Sequence, residues 1–545
     1  MAETPESFDQ MFPKLNDAQM ARVAAFGEQR QARPGEILFE RGDAHHSVFV
    51  VLEGSIELVG ISSAGETVVA VLGSGMFTGE VSQLSGRRSL VRCRAREASA
   101  LLEIGRANLR RIMQTDAGLG EIFLRAFMLR RVYLISHSVG DAVLIGSSHS
   151  GDTLRLREFL TRNGHPHTYL DVERDPDIQT VLDHFEIRVA DIPVLICRGD
   201  LVLRNPSNSQ AAACFGLNAG INEGEVYDLI VVGAGPSGLA AAVYGASEGL
   251  NVLVVESDAP GGQAGTSSRI ENYLGFPAGI SGQDLARRAF VQAERFGAQI
   301  AVARTARGLK CERTPYTVEL DDGGSVQGHS IIVAAGAQYR KLDLPNLAQF
   351  EGVGIYYGAT QVEGQLCGGE EVAIVGGGNS AGQAAVFLAG ITKHVYLLVR
   401  RPGLAETMSR YLISRIEASP TITLETRTEV VALEGDEHLE RIRWRNAETG
   451  KTEIHEIRHL FVMTGANPNT SWLGGCLALD AQQFIRTGPD LGGDWHLHRP
   501  PYLLETSVPR VFAVGDIRAG SLKRVAAAVG DGSMAVQFVH RLLAE

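Results

Sequence analysis

The hydrophobic and polar positions along the chain change their spacing twice, and this divides the sequence into three segments. In residues 1–136, short apolar runs such as 48–52 and 68–72 alternate with glycine turns, which is typical of a β-sandwich or β-barrel. Apolar residues at helical spacing then predict a helix over about 107–136.

The other two segments alternate strands with helices. Residues 140–218 predict strand–helix–strand–helix–strand–strand–helix, with one helix at 176–185 and a polar linker at 218–225. Residues 226–545 continue the alternation, which is the pattern of parallel sheets covered by helices. The sequence therefore predicts a multidomain protein.

Composition narrows the class of protein. The chain has 545 residues, of which 44% are hydrophobic and 21% charged, values that are ordinary for a soluble globular protein. Its 51 basic and 63 acidic residues give a net charge of −12, which is poorly suited to neutralising nucleic-acid phosphates. No apolar run is long enough to span a membrane and no signal peptide is visible. We expect a cytoplasmic protein with no nucleic-acid or membrane partner and no metal site.

A glycine-rich turn follows the first strand of the third segment. Its first glycine permits a tight turn, its second lets the backbone approach a pyrophosphate, and its third lets helix and strand pack closely. The next strand ends in an acid that can accept from ribose hydroxyls. This context favours a dinucleotide, FAD or NAD, over a turn without a ligand. The residues involved are Gly233, Gly235, Pro236, Ser237, Gly238 and Glu256.

A second glycine-rich turn comprises Gly376, Gly378, Asn379, Ser380 and Ala381. The strand after it ends in Arg400 and Arg401, so the position equivalent to Glu256 is basic. Arginine binds a ribose 2′-phosphate through charge-assisted hydrogen bonds, whereas an acid repels it. This turn therefore favours NADPH over NADH, although NADH remains possible. The alternative for the two arginines is a solvated strand end.

Two further strands end in glycine turns. One leads into Ala335 and Gly336, and the other into Gly515 and Asp516. An aspartate in this position can bind the ribityl chain of a flavin, and the alternative is a helix N-cap.

These motifs resemble the low-molecular-weight thioredoxin reductase family over residues 226–545. The resemblance adds flavin-contacting residues at Gly262, Gln263, Asn272, Arg524, Val525 and Ala526. It implies a homodimer in which residues 226–340 and 463–545 form a split FAD-binding domain, called here the first dinucleotide segment. Residues 341–462 then form the NAD(P)H-binding domain, called the second dinucleotide segment. Both are expected to be Rossmann-like α/β folds.

The sequence departs from that family where the family carries Cys-Ala-Thr-Cys. Gly358 and Gln361 stand at the two cysteine positions, and the six cysteines of the chain contain no Cys-x-x-Cys pair. Cys367, six residues later, is expected to be a small buried residue rather than a nucleophile. Val399 and Ala405 stand where the family's basic cluster has a histidine and a later arginine, and this weakens the expected preference for NADPH. We expect no catalytic side chain, because hydride transfer requires no general base.

Residues 140–218, the thioredoxin-like segment, resemble the thioredoxin fold. Ile192-Pro193 matches the position where that fold keeps a cis-proline, but the loop at 147–152 contains no cysteine. This segment is therefore expected to act in docking or dimerisation. His149 in its loop is expected to be solvated.

Residues 1–136, the sensor segment, resemble cyclic nucleotide-binding domains, which implies a jelly-roll β-barrel. By resemblance, Gly79 and Glu80 lie in the phosphate cassette, where the glutamate takes the ribose 2′-hydroxyl, and Arg88-Ser89 would hold the cyclic phosphate. The alternative is a degenerate domain that binds no ligand.

Together these features predict an FAD-dependent NAD(P)H oxidoreductase that passes electrons to a redox protein or a small-molecule acceptor, with possible cyclic nucleotide control. Two alternatives remain open. One is a disulfide reductase whose cysteines meet only in three dimensions, and the other is a non-enzymatic flavin-bound sensor.

Overall fold

The computed structural model describes residues 5–44, 46–62, 65–80, 83, 88–136, 142–175, 178, 182, 187–188, 191–197, 201–217, 221–222 and 224–545. Most of the predicted helix at 176–185 and part of the predicted linker at 218–225 lie outside the described residues. None of the described helices is long and apolar enough to cross a membrane.

The sensor segment is a β-sandwich flanked by helices. Its helices are α1 (Pro5–Met11), α2 (Asp17–Ala24), α3 (Arg106–Thr115) and α4 (Ala117–Ser136), and its strands are β1 (Glu28–Ala32), β2 (Ile37–Phe39), β3 (Val48–Glu53), β4 (Ser55–Ser62), β5 (Gly65–Gly73), β6 (Arg92–Ala95) and β7 (Ser99–Ile104). The strands form two antiparallel sheets, in the orders β1-β7-β3 and β2-β6-β4-β5. The described strands therefore form a two-sheet sandwich and do not close into the expected barrel.

The predicted single helix at 107–136 is two helices, α3 and α4, separated at Asp116. The Asp116 side chain accepts a hydrogen bond from the backbone N–H of Leu119 at 3.0 Å and so caps α4. A side chain that bonds a nearby N–H in this way starts a new helix instead of continuing the old one.

The thioredoxin-like segment has one four-stranded sheet. Its elements are β8 (Ala142–Gly146), α5 (Gly151–Arg162), β9 (His167–Asp171), β10 (Val194–Cys197), β11 (Leu201–Arg204) and α6 (Asn208–Phe215). The sheet order is β11-β10-β8-β9, with only β8 and β9 parallel. The Ile192–Pro193 peptide bond is cis, as the resemblance implied.

The first dinucleotide segment begins with a parallel sheet. Its first part contains β12 (Val226–Val232), α7 (Pro236–Ser247), β13 (Val252–Glu256), α8 (Gly282–Phe296), β14 (Gln299–Val302), β15 (Ala306–Lys310), β16 (Tyr316–Leu320), β17 (Ser325–Val333) and β18 (Ala337–Tyr339). The order β14-β13-β12-β17 is parallel, and β16 and β15 extend it as antiparallel strands.

The second dinucleotide segment has its own parallel sheet. It contains α9 (Leu347–Phe350), β19 (Ile355–Tyr356), α10 (Gln361–Leu366), β20 (Glu371–Val375), α11 (Asn379–Leu388), β21 (His394–Val399), α12 (Arg410–Ala418), β22 (Ile422–Thr426), β23 (Thr428–Glu434), β24 (Arg441–Asn446), β25 (Thr452–His455) and β26 (His459–Val462). The parallel order is β19-β26-β20-β21-β22, and β23-β24-β25 is an antiparallel meander.

The chain then returns to the first sheet. Its last elements are β27 (Ala466–Pro468), β28 (Val511–Ala513) and α13 (Val525–Ala544). Strand β28 pairs in parallel with β17, and β27 pairs with β18 in a two-stranded ribbon. These pairings bring Gly515 and Asp516 back to the end of the first sheet.

The segments share apolar surface. One buried cluster runs from sensor residues such as Phe123 and Phe127 into first-dinucleotide residues such as Leu229 and Phe290. A second joins Phe215 of the thioredoxin-like segment to residues at the end of β14. Two disulfides also form, Cys197–Cys214 within the thioredoxin-like segment and Cys311–Cys476 within the first dinucleotide segment.

Candidate functional site

The first glycine turn lies between the end of β12 and the start of α7. Gly233 has φ +105°, and a Cβ added there would lie 2.5 Å from the carbonyl oxygen of Ala334. A Cβ on Gly238 would lie 1.8 Å from the carbonyl oxygen of Gly233. A Cβ on Gly235, by contrast, would have no atom within 4 Å. Two glycines therefore permit close packing, while the third leaves open space in front of the helix N-terminus.

Other loops converge on this turn. A Cβ on Gly262 would lie 3.2 Å from the Cα of Gly235, so the two loops nearly touch. Gly515, with φ +69°, approaches Ser237, since a Cβ there would lie 2.6 Å from the Ser237 Oγ. Pro236 occupies the first turn of α7. We call the turns at 233–238, 261–262 and 515–516 the first cradle. Backbone N–H groups at an uncluttered helix start fit the pyrophosphate of a dinucleotide.

Glu256 ends β13 beside the first cradle. Its side chain is only 7% exposed and accepts hydrogen bonds from the backbone N–H groups of Ala234, at 2.7 Å, and Asp258, at 2.9 Å. Burial raises the pKa of this carboxyl group, and the two N–H donors oppose that rise. The carboxyl group is thus fixed next to the turn, where it can accept from a ribose hydroxyl.

Three more predicted flavin residues, Gln263, Ala335 and Gly336, lie in turns that hydrogen bonds hold. Asn469 fixes the turn after β17, because its Nδ2 donates to the Ala335 oxygen at 2.7 Å and its N–H to the Gly336 oxygen at 3.1 Å. The Gln263 oxygen accepts from the Thr266 hydroxyl at 2.9 Å. Sequence reasoning missed Asn469, because nothing in its neighbourhood indicates a partner more than 130 residues away.

The remaining predicted flavin residues differ in burial. Burial raises the pKa of Asp516, and the Lys523 ammonium opposes that shift. Asn272, Arg524 and Ala526 are exposed, and Val525 is half-buried. Their contact with a flavin stays a prediction. Gly532, which the sequence did not single out, lets α13 pack on α7, since a Cβ there would lie 2.1 Å from the Ser237 oxygen.

The second glycine turn repeats the first at the end of β20. Gly376 has φ +152°, and a Cβ there would lie 2.4 Å from the carbonyl oxygen of Met463. Gly378 precedes α11 and has open space, like Gly235. Asn379 turns inward instead, because its Oδ1 accepts from the backbone N–H of Ser409 at 2.7 Å.

The neighbouring side chains of this turn differ in exposure. Ser380 hydrogen-bonds Tyr339, whose pKa is raised by burial, and Ala381 is fully buried. Arg400 and Arg401 are exposed at the end of β21. Arg401 pairs with Glu406 at 2.6 Å, so a phosphate would compete with that carboxylate.

The segment at 355–361 lies against the loop at 261–267, which is predicted to contact the flavin and is called here the flavin loop. Ala359 bridges Ser267 in parallel. A Cβ added to Gly358 would lie 3.6 Å from the Thr266 Cβ and 3.9 Å from the Glu363 Oε1. Gln361, at the second cysteine position, is exposed. No thiol stands in this segment.

Cys367 behaves as the sequence predicts. It is fully buried, has no disulfide partner, and burial raises the pKa of its thiol to about 12. A thiol of that pKa is a poor nucleophile near neutral pH.

A buried carboxyl pair lies beside the same segment. Glu158 on α5 hydrogen-bonds Glu363, which is 2% exposed and also accepts from the Thr360 N–H at 2.8 Å. Burial, followed by the hydrogen bond to Glu363, raises the pKa of Glu158 to about 9. The pair therefore holds a proton at the contact between the thioredoxin-like and second dinucleotide segments. No motif in the sequence indicates this pair.

Two buried arginines that sequence reasoning missed contact the predicted cassette residues Gly79 and Glu80. Arg130 donates to the Gly79 oxygen at 2.8 Å and to the Met11 oxygen at 2.9 Å. Arg131 pairs with Glu80 at 3.5 Å. Two adjacent arginines inside the largely apolar helix α4 were the available signal.

The predicted phosphate pair is engaged elsewhere. Arg88 donates to the Gly42 oxygen at 3.0 Å, and the buried Ser89 hydroxyl donates to the Val91 oxygen at 2.8 Å. A Cβ on Gly216 would lie 3.3 Å from the Arg88 Cγ, so the thioredoxin-like segment packs on this arginine. Phosphate binding by the pair stays a prediction.

His149 of the thioredoxin-like loop is solvated, as expected. Its side chain is 62% exposed and its Nδ1 lies 2.9 Å from Glu173. In the described part of the chain, no cluster of histidine, cysteine and acidic side chains is suited to a metal ion.

Two family models match the chain. The model described as "Pyridine nucleotide-disulphide oxidoreductase" matches residues 227–532, more than half of the sequence. The model described as "Cyclic nucleotide-binding domain" matches residues 29–116. These matches confirm both resemblances at the level of family.

Curated relatives carry three kinds of name. The chain is 32% identical over 364 residues to the NADPH-dependent thioredoxin reductase 3 of Arabidopsis thaliana, covering 63% of this chain and 65% of that protein, less than two thirds of its length. It is 32% identical over 320 residues to the thioredoxin reductase of Mycolicibacterium smegmatis, covering 59% and 97%. It is 30% identical over 311 residues to an NADH dehydrogenase of Bacillus subtilis, covering 57% of each.

A solved structure supports the fold. The crystal structure of T. acidophilum thioredoxin reductase aligns with a TM-score of 0.53 and 26% identity, covering 58% of this chain and 99% of that one. Thioredoxin reductase-like relatives are FAD- and NADPH-dependent, which confirms at the level of family the cofactors predicted from the two turns.

Proposed function

Because this chain belongs to the pyridine nucleotide-disulphide oxidoreductase family, we propose that it is an FAD-dependent oxidoreductase. It oxidises NADPH in preference to NADH and passes the electrons directly to a redox protein or a small-molecule acceptor. The single observation that carries this proposal is an intact first cradle beside a flavin loop whose neighbouring segment has Gly358 and Gln361 in place of a dithiol.

When bound, FAD supplies hydride acceptance from the nicotinamide and electron delivery to the acceptor. The residues of the chain bind and orient. The first cradle holds a pyrophosphate, Glu256 accepts from a ribose hydroxyl, and Arg400 and Arg401 bind the 2′-phosphate of NADPH.

Anaerobic stopped-flow reduction followed by an acceptor screen tests this function. Purified protein is expected to be yellow, to be reduced by NADPH, and to be reoxidised by at least one quinone, flavodoxin-type or ferredoxin-type acceptor. Colourless protein that takes up no FAD on reconstitution contradicts the assignment. Flavin that NADPH and NADH both fail to reduce favours a non-enzymatic sensor instead.

A second candidate is a disulfide reductase that uses cysteines distant in sequence. The observation that favours it is the pairing of Cys197 with Cys214 and of Cys311 with Cys476. Both pairs lie outside the segment at 355–361 that faces the flavin loop. Disulfide reduction that disappears in Cys197→Ser or Cys311→Ser protein, while NADPH still reduces the flavin, would establish this candidate.

The proposal extends to regulation and assembly. A cyclic nucleotide at Glu80 and Arg88 would change the reductase rate, and the chain would form a homodimer. Light scattering after size-exclusion chromatography measures the assembly, and a monomeric mass contradicts it.

A further inference from the structure

Two buried glutamates are predicted to meet ribose hydroxyls in two different pockets. Glu80 lies in the sensor segment and Glu256 in the first dinucleotide segment, and each is 7% exposed. Polar contacts, joined by the backbone between Arg162 and Gly164, connect them across the thioredoxin-like segment. We call this series, Glu80–Arg131–Gly164–Arg162–Asp258–Glu256, the polar chain.

The sensor end of the polar chain depends on Arg131. Its guanidinium lies 3.5 Å from the Glu80 carboxylate, and both side chains are 9% exposed. The same guanidinium donates to the carbonyl oxygen of Gly164 at 2.8 Å. Neither Glu80 oxygen has a hydrogen-bond partner among the described residues, so the carboxylate retains acceptor capacity for a ligand hydroxyl.

The flavin end depends on Arg162, two residues before Gly164. Arg162 pairs with the Asp258 carboxylate at 2.5 Å and donates to the carbonyl oxygen of Gly262 in the first cradle at 3.3 Å. The backbone N–H of Asp258 donates to Glu256 at 2.9 Å. Arg162 thus holds the loop at 256–262, which carries both Glu256 and Gly262 of the predicted dinucleotide site.

Neighbouring contacts tie this loop to the same turn. Asn163 donates to the Asp258 carbonyl oxygen at 3.3 Å, and Asn208 donates to its carboxylate at 3.0 Å. Gln283 on α8 donates to the Thr161 oxygen at 2.6 Å. Any shift of residues 161–164 therefore moves the support of the flavin loop.

We propose that the polar chain couples ligand binding at Glu80 to FAD binding at Glu256, with Arg131 and Arg162 as positioning residues. A ribose hydroxyl that donates to Glu80 competes with Arg131 for the carboxylate. Arg131 then changes its hold on Gly164, and Arg162 shifts against Asp258. The thioredoxin-like segment, whose loop at 147–152 has no cysteine, serves as the link between the two pockets. The direction of control rests on the proposed function, but the connection itself does not.

Linkage makes the coupling reciprocal. If a nucleotide at Glu80 changes FAD affinity by some factor, then FAD changes nucleotide affinity by the same factor. Removing one member of a buried charge pair leaves the other uncompensated, so changes within the polar chain should be felt at its far end.

The test is the rate of FAD release from the full-length holoprotein, followed by the rise in flavin fluorescence. Glu80→Gln, Arg131→Gln and Arg162→Gln are each expected to release FAD about fivefold or more faster than wild type. Glu57→Gln and Arg204→Gln are matched controls, because each breaks an ion pair inside its own segment, Glu57–Arg94 and Asp191–Arg204. The controls should release FAD at the wild-type rate.

The Arg131→Gln/Arg162→Gln double variant distinguishes coupling from two separate losses. Coupling predicts a release rate no faster than that of Arg162→Gln alone, whereas independent effects multiply. If Glu80→Gln protein releases FAD at the wild-type rate, or if the effects of the two substitutions multiply in the double variant, the proposal is overturned. Faster release in the control variants by the same factor also overturns it.

Wild-type protein supplies a measurement that needs no substitution. Cyclic AMP and cyclic GMP are titrated into apoprotein and FAD-loaded protein by calorimetry, and an affinity difference equal to the change in FAD affinity supports the coupling. Equal nucleotide affinity in the two forms overturns it. If neither nucleotide binds, the proposed sensor ligand fails, and the release rates of the three variants decide the coupling alone.

Discussion

At the scale of single residues, the carboxyl pair Glu158–Glu363 makes stability depend on pH. Burial and the hydrogen bond to Glu363 raise the pKa of Glu158 to about 9. Between about pH 5 and 9 the folded chain keeps a proton that the unfolded chain has released, so folding stability falls as pH rises through this window.

We therefore expect Glu158→Gln to flatten the pH dependence, because an amide cannot ionise. Its melting temperature should exceed that of wild type increasingly from pH 7 to pH 9. Differential scanning calorimetry across pH 5–9 measures this, with exposed Glu417→Gln as the control. An unchanged slope in Glu158→Gln would mean that the pair holds no proton.

Arg400 and Arg401 carry the second residue-scale prediction. A charge-assisted hydrogen bond contributes about 1.5–3 kcal/mol, so Arg400→Ala/Arg401→Ala should lower kcat/KM for NADPH by about tenfold or more. The value for NADH should stay unchanged. Arg441→Ala, which removes a surface ion pair with Glu434, is the control. Equal loss for both nucleotides would show that the arginines do not read the 2′-phosphate.

Sequence reasoning at this scale succeeds where the requirement is local. The need for glycine at 233 and 238 follows from a turn and its own helix, so a short motif reveals it. The partners of Arg131 could not be predicted, because Glu80 and Gly164 come from other parts of the chain. The Glu406 carboxylate that pairs with Arg401 was missed for a different reason, since a surface pair leaves little trace in the sequence.

At the scale of elements, two glycines of the β12–turn–α7 unit have different roles, Gly235 in cofactor binding and Gly238 in packing. A Cβ on Gly235 has no neighbour within 4 Å, whereas a Cβ on Gly238 lies 1.8 Å from a carbonyl oxygen. We expect Gly235→Ala to fold normally but to lose FAD, because its methyl group occupies the space for the pyrophosphate.

Gly238→Ala should instead lower the free energy of unfolding by about 1–3 kcal/mol, the usual cost of overpacking. Urea denaturation of FAD-free proteins and flavin absorbance after reconstitution measure the two effects separately. FAD retained by Gly235→Ala would place the pyrophosphate elsewhere.

The segment at 355–361 limits disulfide chemistry. Without thiols at Gly358 and Gln361, NADPH-driven insulin reduction with added thioredoxins should be slow, and Cys367→Ser should not change it, because Cys367 is buried. Insulin reduction at a high rate in the Cys367→Ser protein would refute direct transfer from flavin to acceptor. Loss of such activity in that variant would identify Cys367 as the thiol.

The boundaries of helices and the grouping of strands into sheets could not be predicted from the hydrophobic pattern alone. Periodicity placed apolar residues of α3 and α4 correctly but joined the two helices, because apolar residues at helical spacing occur on both sides of the cap at Asp116. The strands of the sensor segment were also recognisable, yet their grouping into two open sheets depends on pairings between residues far apart in sequence.

At the scale of the whole molecule, the sensor segment and both dinucleotide segments meet around α5 of the thioredoxin-like segment. This helix faces the second dinucleotide segment through Glu158, and Arg162 at its end pairs with Asp258 of the first. Arg131 of the sensor holds Gly164 just beyond it. No short motif encodes such contacts, because each needs only one polar side chain at a surface. The thioredoxin-like segment thus lies against both dinucleotide segments, although its loop at 147–152 has no cysteine.

The arrangement leads to a prediction about regulation. Arg88 packs against Gly216 of the thioredoxin-like segment, and Glu80 pairs with Arg131. A ligand that binds Arg88 and Glu80 must therefore alter the contact between the sensor and thioredoxin-like segments. A ligand changes activity only as far as it favours one conformation over another. We expect a cyclic mononucleotide or dinucleotide to change the NADPH oxidation rate by about fivefold or more, the lower end of typical coupling.

Calorimetric titration and NADPH oxidation rates, measured on the same samples, check this in wild type, Glu80→Ala and Arg88→Ala. Both variants should lose binding and the rate change together, whereas Glu57→Ala, whose carboxylate pairs with Arg94 in its own sheet, should keep both. If no nucleotide binds, the sensor segment is a structural element that supports the reductase. If a nucleotide binds and the rate stays constant, its contact with the thioredoxin-like segment does not reach the flavin site, because a bound ligand without differential affinity for the two states shifts nothing.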